Sequence, residues 1–469
     1  MTTRTDIISP IHQRTGPKGP LDLEAICAFV AVGYFMSDTT FYKGHLSLPP
    51  ASVVELDGRG GIARAEPYFQ WHHTPRDISL SQAVGEFAEL FESILSENKD
   101  PMWTIPISGG LDSRTLVAAS QHLGRNYIGY SYAFRDGHDE TLYGRRMSES
   151  LGFGFKAYTV ERGALWNDLE KMAGINRCYS DFTHPRQFAV YDELKSLGGT
   201  FLLGHWGDVL FDDMHVPEDV SPKAILDMHF NRIVKPGGLQ LGKRLWDAWR
   251  LQGDLEEYMR EALDSVYKRI DIKENNPRLR ALKSWTHAIR WTNTNLGFFR
   301  EFGPNLYPYM DNRMAEFICT VPEKWLSSRR IQIEYIKMRS PALARIPWQS
   351  HFPFNLYNHG IDRMPLNLPV RAWNKAKSIL TNSVRTTRNW EIQFLGPENE
   401  ERLAGMLKGD RRFSEWIPAD ITDSFLGAFL KEKSRDTAHP LSMLLTLSAF
   451  HRYLHLPMGD GGAKNQDGV

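Results

Sequence analysis

The hydrophobic rhythm of the chain changes along its length. Met102–Ile107, Tyr127–Phe134, Phe155–Val160 and Thr200–Gly204 are short apolar runs, the pattern of strands buried on both faces. Between them, Thr115–Ala119 opens a helical pattern, and Asp139–Leu151 gives a second helix that stops at Gly152. Alternating strands and helices predict an α/β fold, a parallel twisted sheet with helices on both faces. Beyond about residue 219 the period turns helical, over 222–232, 243–268, 277–302 and 419–454, so a mostly helical C-terminal part follows the sheet. Residues 1–23 read as a flexible start. The tail 459–469, rich in Gly, Lys, Asn and Asp, reads as disordered.

Composition narrows the class without changing this picture. With 42% apolar and 24% charged residues, the chain is of ordinary soluble globular type. A formal net charge of zero gives no pull toward nucleic acid or an anionic membrane. The longest apolar stretch, Ala25–Met36, is too short to span a bilayer, and the N-terminus has no apolar signal core. Cys27, Cys178 and Cys319 form no CxxC pair, which fits a reducing cytoplasm rather than a disulfide or zinc framework.

The chemistry concentrates where the first strand ends. There the chain reads Ile107-Ser108-Gly109-Gly110-Leu111-Asp112-Ser113 and then turns helical. A strand that passes through Ser and Gly into a helix start is built to hold an anion. Glycines let the backbone approach phosphate oxygens, and the helix N-terminus faces the charge. Asp112 would repel phosphate directly but suits Mg²⁺ bridging to it. No Walker A sequence occurs, and an SGGxDS match arises by chance on the order of once in a thousand chains of this length. The competing reading is a Gly-rich turn with an Asp/Ser helix cap.

The loop resembles the PP-loop of the ATP pyrophosphatases, which grips the pyrophosphate of ATP while a carboxylate or amide oxygen attacks the α-phosphorus. Three further segments are similar to the asparagine synthetase family, in the family's order. They are Val32-Gly33-Tyr34-Phe35 running on to Thr40–Gly44 and Leu48–Val53, then Leu203–Phe211, then Tyr307–Arg313. The resemblance spans roughly 24–455. It implies a remnant linker or β segment over 24–75, like the end of a glutaminase domain, and a synthetase domain over 76–458. It also implies an ATP-dependent, AMP- and pyrophosphate-forming amide ligase, with asparagine biosynthesis as the default. Ile107, Ser108, Gly109, Gly110, Leu111, Asp112, Ser113, Ser131 and Gly204 would bind ATP and its pyrophosphate, and Asp112 and Asp208 would hold Mg²⁺.

The departures from the family are specific. His205 stands where the family has a glutamate beside the acyl-adenylate; a histidine there is either a base or a satisfied polar residue. His351 lies nearest the place of the family lysine, and Lys337 and Arg339 are upstream alternatives or a solvated helix face. Residue 2 is Thr2 rather than a Cys nucleophile, and about 23 residues precede the linker-like segment, so no glutaminase activity is expected. The implied partners are a small-molecule or peptide carboxylate, ammonia or an amine donor, and a separate ammonia-supplying or substrate-delivering protein, with no nucleic acid and no membrane. His72-His73 is a single pair with no third or fourth ligand at metal spacing; Asp212-Asp213 and Asp136–Glu140 read as loop or cap residues, and the aromatic stretch 285–309 as core rather than an acyl pocket. The alternative to an enzyme is a catalytically degraded, nucleotide-binding scaffold.

Overall fold

The computed structural model describes residues 1–8, 13–135, 137, 139–368 and 393–455. Asp136, His138 and the tail 459–469 lie outside the described residues.

Where the pattern suggests a flexible start, the chain is already paired. Strand β1 (Thr2–Arg4) joins β2 (Ser52–Leu56), which joins β3 (Ile62–Pro67), in an antiparallel sheet. Ile7 and Ile8 are fully buried, and the Ile7 N–H donates to Asn312 Oδ1 at 2.8 Å. Two isolated isoleucines among polar residues have no period, which is why the sequence gives no sign of this anchoring. Helix α1 (Leu23–Val32) is capped by Asp22 and ends at left-handed Gly33. Its residues from Ala25 to Val32 are all buried, so the Ala25–Met36 stretch is a core helix, apolar on every side.

The main sheet is five-stranded and parallel. Its strands are β4 (Met102–Pro106), β5 (Asn126–Phe134), β6 (Gly154–Val160), β7 (Thr200–Leu202) and β8 (Asn305–Leu306), in the order β8-β7-β4-β5-β6. The chain builds outward from β4 to β6, then crosses back to place β7 on the other side of β4. The carboxyl ends of β4 and β7 therefore flank the topological switch point, where ligands of open α/β sheets bind. Helices α2 (Leu80–Glu97), α3 (Leu111–His122), α4 (Thr141–Leu151) and α5 (Arg330–Arg339) pack around the sheet.

The helical region departs from the expected segments. The stretch 243–268 is two helices, Gly238–Ala248 and Leu255–Tyr267, broken where Arg250 and Gly253 take φ values of 53° and 77°. The stretch 277–302 stays wound but loosens into π-type turns over Ser284–Thr292 and tightens over Gly297–Glu301. The 419–454 stretch splits at left-handed Lys433 into Ala419–Glu432 and α6 (Arg435–Phe450). Single apolar periods cannot register such breaks, because hydrophobic faces on both sides of a tight turn keep a compatible phase.

Candidate functional site

The Ser108–Ser113 loop leaves the carboxyl end of β4 and becomes the first turn of α3. Gly110 stands at the helix N-cap with no side-chain capping bond, so the expected alternative of an Asp/Ser cap does not describe this turn. Instead Ser113 Oγ accepts the Ser108 N–H at 3.1 Å, and Ser108 Oγ accepts the Gly110 N–H at 3.3 Å. The two serines brace the loop internally and leave the helix N-terminus facing outward for an anion. Gly109 is required by crowding. A Cβ there would lie 2.6 Å from Gln349 Cβ and 2.8 Å from the Tyr143 ring.

Asp112 is the hub. Its Oδ1 accepts a short bond from Arg329 Nη2 and one from Gln332 Nε2 at 2.9 Å; Gln332 also donates to Tyr309 Oη at 2.7 Å. A Cβ on residue 207 would fall 2.3 Å from Asp112 Oδ1, so Gly207 lets the turn after β7 close onto the loop. Asp208, next along, is exposed. Burial pushes the Asp112 carboxyl up, with Arg329 pulling it down and Asp208 adding to the rise. Burial works against the Arg329 charge, and Asp112 and Asp208 together overcome it, raising its pKa. Two neighbouring carboxylates, one of them open to solvent, form a donor set that fits Mg²⁺ completed by phosphate oxygens and water.

Arg329 and Gln332 were invisible in the sequence. Ser328 and Arg329 take left-handed φ values of 58° and 59°, without the Gly or Asn that would signal them. The turn is held from the acidic pair Asp212-Asp213. Asp212 Oδ1 accepts the Ser328 N–H at 2.9 Å and Asp213 Oδ2 accepts from Ser327 Oγ at 2.5 Å. Non-glycine residues held in this region cluster at functional sites. The nearest signal was that an acidic dipeptide follows the Leu203–Phe211 motif.

The remaining expected residues divide. Ile107 is buried at the strand end, its N–H bonded to Tyr130 O at 2.7 Å, and Ser131 is buried on neighbouring β5. Leu111 is the first residue of α3, and Gly204 packs against Asp112. His205 is half-buried, its ring edge-on to Phe299 at 5.8 Å. Burial pushes its pKa down to about 4, with Asp208 opposing, and its Nδ1 has no hydrogen-bond partner among the described residues.

His351 is held by Asp362 at 2.9 Å and lies against Trp348, two residues from Gln349, whose N–H donates to Gly109 O at 3.2 Å. A further residue the sequence reading missed, buried Arg114, fixes this segment through the carbonyls of Leu343, Ile346 and Pro347 at 3.1, 2.8 and 3.0 Å. Lys337 instead pairs with Glu334 at 2.8 Å, and Arg339 with Glu92 on α2 at 2.7 Å. Asp311 caps the helix Asn312–Thr320 and pairs with Arg313, an ordering role. Phe298, Phe302 and Tyr309 are core residues, whereas Trp285, Trp291 and Tyr307 are only partly buried.

Residues 99–296 match the family model described as asparagine synthase. Among solved structures, the chain is similar to an NMN synthetase from Francisella tularensis, with 10% identity over 45% of this chain and 93% of that one, and a TM-score of 0.24. It is also similar to a glutamine-dependent NAD⁺ synthetase from Acinetobacter baumannii in complex with ADP, with 11% identity over 54% of this chain and 62% of that one, and a TM-score of 0.22. Scores this low support no statement about activity. No curated protein sequence matches the chain significantly. Among the described residues, no helix is long and apolar enough to cross a membrane.

Proposed function

We propose, from the match of residues 99–296 to the asparagine synthase family model, that this chain is an ATP-dependent, AMP-forming amide ligase. A substrate carboxylate attacks the α-phosphorus of ATP, pyrophosphate leaves, and an amine nitrogen then attacks the acyl-adenylate and expels AMP. The observation that carries this reading is the convergence of Asp112, Asp208 and Arg329 on an uncapped helix N-terminus at the sheet's switch point.

The loop backbone and the α3 N-terminus receive the pyrophosphate, and Arg329 supplies a fixed positive charge beside it. Asp112 and Asp208 would hold Mg²⁺, which supplies charge neutralisation on the departing pyrophosphate. Ile107 and Ser131 form the floor on the adenosine side, and Gly204 keeps the crevice open. His205, kept neutral by burial, can take a proton from the attacking nitrogen. His351, on the segment that covers Gly109, stands near the place of the family lysine. Lys337 pairs with Glu334 and Arg329 with Asp112; of the two, Arg329 stands directly at the loop carboxylate and is the stronger candidate for the charge-stabilising cation. The nitrogen comes from ammonia or a substrate amine, delivered free or by a separate protein, and aspartate is the default acid.

ATP–pyrophosphate exchange with a panel of acids tests this. Exchange that depends on both an acid and Mg²⁺ supports the ligase. Tight ATP binding without exchange for any acid would favour the degraded scaffold, for which the saturated Asp112–Arg329 pair and His205 in place of glutamate are the favouring observations.

A further inference from the structure

Beside His205 stands Trp206, the first of a row of packed rings. The Trp206 and His287 rings stack at 6.1 Å, His287 stacks on Trp291 at 4.9 Å, and His184 meets Trp291 edge-on at 4.4 Å. His184, His287 and Trp291 each keep part of their surface open, although burial drives both imidazoles far toward the neutral form. At the far end stands Asp181, 6% exposed. Its Oδ2 accepts from Thr183 Oγ1 at 2.8 Å and Ser442 Oγ at 3.1 Å, while its Oδ1 is buried with no partner among the described residues. Asp181 acts electrostatically on both His184 and His439, and His439 is committed through Nε2 to Val30 O at 3.0 Å. Tyr34, edge-on to His287 at 5.1 Å, likewise has a buried, unpartnered hydroxyl.

We propose that Asp181 anchors a primary ammonium group of the substrate beside His184, His287 and Trp291. An orphaned buried carboxylate oxygen is costly and is satisfied only by a donor. A primary ammonium brings three donors and the opposite charge. Neutral imidazoles can accept from it. Lys235 and Lys283 act on His287 and help keep it neutral, hence an acceptor. An ammonium held on a carboxylate keeps its proton and is no nucleophile. The anchored group is therefore a recognition handle, carried by the acid or by the acyl acceptor, and distinct from the attacking nitrogen.

This rests on the ligase reading, but binding can be measured without turnover. With the full chain and no ATP, butylammonium should raise the melting temperature and butan-1-ol should not. Asp181→Asn should weaken butylammonium binding at least tenfold and leave ATP binding unchanged. Equal responses to the alcohol, or from Asp181→Asn, would overturn the proposal. Should Asp181→Asn fail to fold, Trp291→Leu keeps the Asp181 bonds and should still weaken butylammonium binding; unchanged binding would overturn it. In exchange assays, removing the amino group from the acid should cut the rate at least tenfold if the acid carries the handle. If it does not, diamines should outperform monoamines as acceptors, and indifference on both counts contradicts the proposal. Absence of exchange with every acid, alongside Asp181-dependent butylammonium binding, would sink the ligase reading and leave the ammonium site standing.

Discussion

The Ser108–Ser113 loop and the interior around Asp181 are built on opposite principles. At the loop, the proposed nucleotide end, the key polar side chains are already engaged with one another: Asp112 with Arg329 and Gln332, Gln332 with Tyr309, Ser108 with Ser113. At the other end His205 Nδ1, Asp181 Oδ1 and the Tyr34 hydroxyl are buried without partners among the described residues. A self-satisfied network is rigid and preorganised, which suits a phosphate cradle that must present fixed charge. Orphaned groups suit the end where substrate completes the hydrogen bonding.

The largest effect should come from the engaged end. Asp112→Asn keeps the shape of the hub but removes its charge, and should lower Mg²⁺-dependent turnover by roughly 10²–10³, about 3–4 kcal/mol, with the circular dichroism spectrum unchanged. Full activity in the folded variant would break the assignment of this end to the pyrophosphate.

Buried histidines without hydrogen-bond partners should announce themselves in pH dependence. Burial holds His229, whose Nε2 is also orphaned, down to about 4, with Lys283 and Arg232 adding to the shift. The unfolded chain binds this proton at about 6.5, so folding favours the neutral ring. Its contribution is intact above pH 6.5, falls away between about 6.5 and 4, and is flat below. One such histidine accounts for up to about 3 kcal/mol. Denaturation followed across that window should show the slope, and His229→Leu should make it shallower by one histidine's share, the rest coming from His184, His205, His287 and His439; an unaltered slope would count against a neutral buried ring.

How far the site was legible follows the same division. Ser108–Ser113 is contiguous, so one stretch of sequence carries both the geometry and the chemistry, and the parallel strands around it follow from four apolar runs. Arg329 and Gln332 reach Asp112 from more than two hundred residues away. They open what reads as a solvated helix face, and their left-handed turn is enforced by Asp212-Asp213 rather than by a turn-forming residue. Lys337, read as a possible substitute for the family lysine or a solvated helix residue, pairs with Glu334 one helical turn away, a pairing the sequence allows but does not require. Asp181 and His184 carry no motif at all, since their setting is made by Trp291 and Ser442, brought in from other elements.

Smaller effects sharpen the contrast. Arg329→Met should cost about 2 kcal/mol of stability, because it leaves Asp112 charged and unpaired in a partly buried site. Much of that loss should return in the Asp112→Asn/Arg329→Met double variant, a coupling readable by denaturation of the four proteins. At the other end, His205→Phe should stay within about 1 kcal/mol of the parent or exceed it, since it removes an unsatisfied polar atom. Product formation should nonetheless fall, and a large destabilisation would show that His205 is a structural residue.

The central claim is that the Ser108–Ser113 loop directs cleavage of ATP between its α- and β-phosphates. The most direct measurement is the fate of ATP labelled at the β- and γ-phosphorus, incubated with the protein, Mg²⁺ and an accepted acid. The account predicts that the label leaves as pyrophosphate with unlabelled AMP, and that Asp112→Asn slows this by roughly 10²–10³. Labelled ADP and inorganic phosphate, or pyrophosphate release at the parent rate in Asp112→Asn, would contradict it.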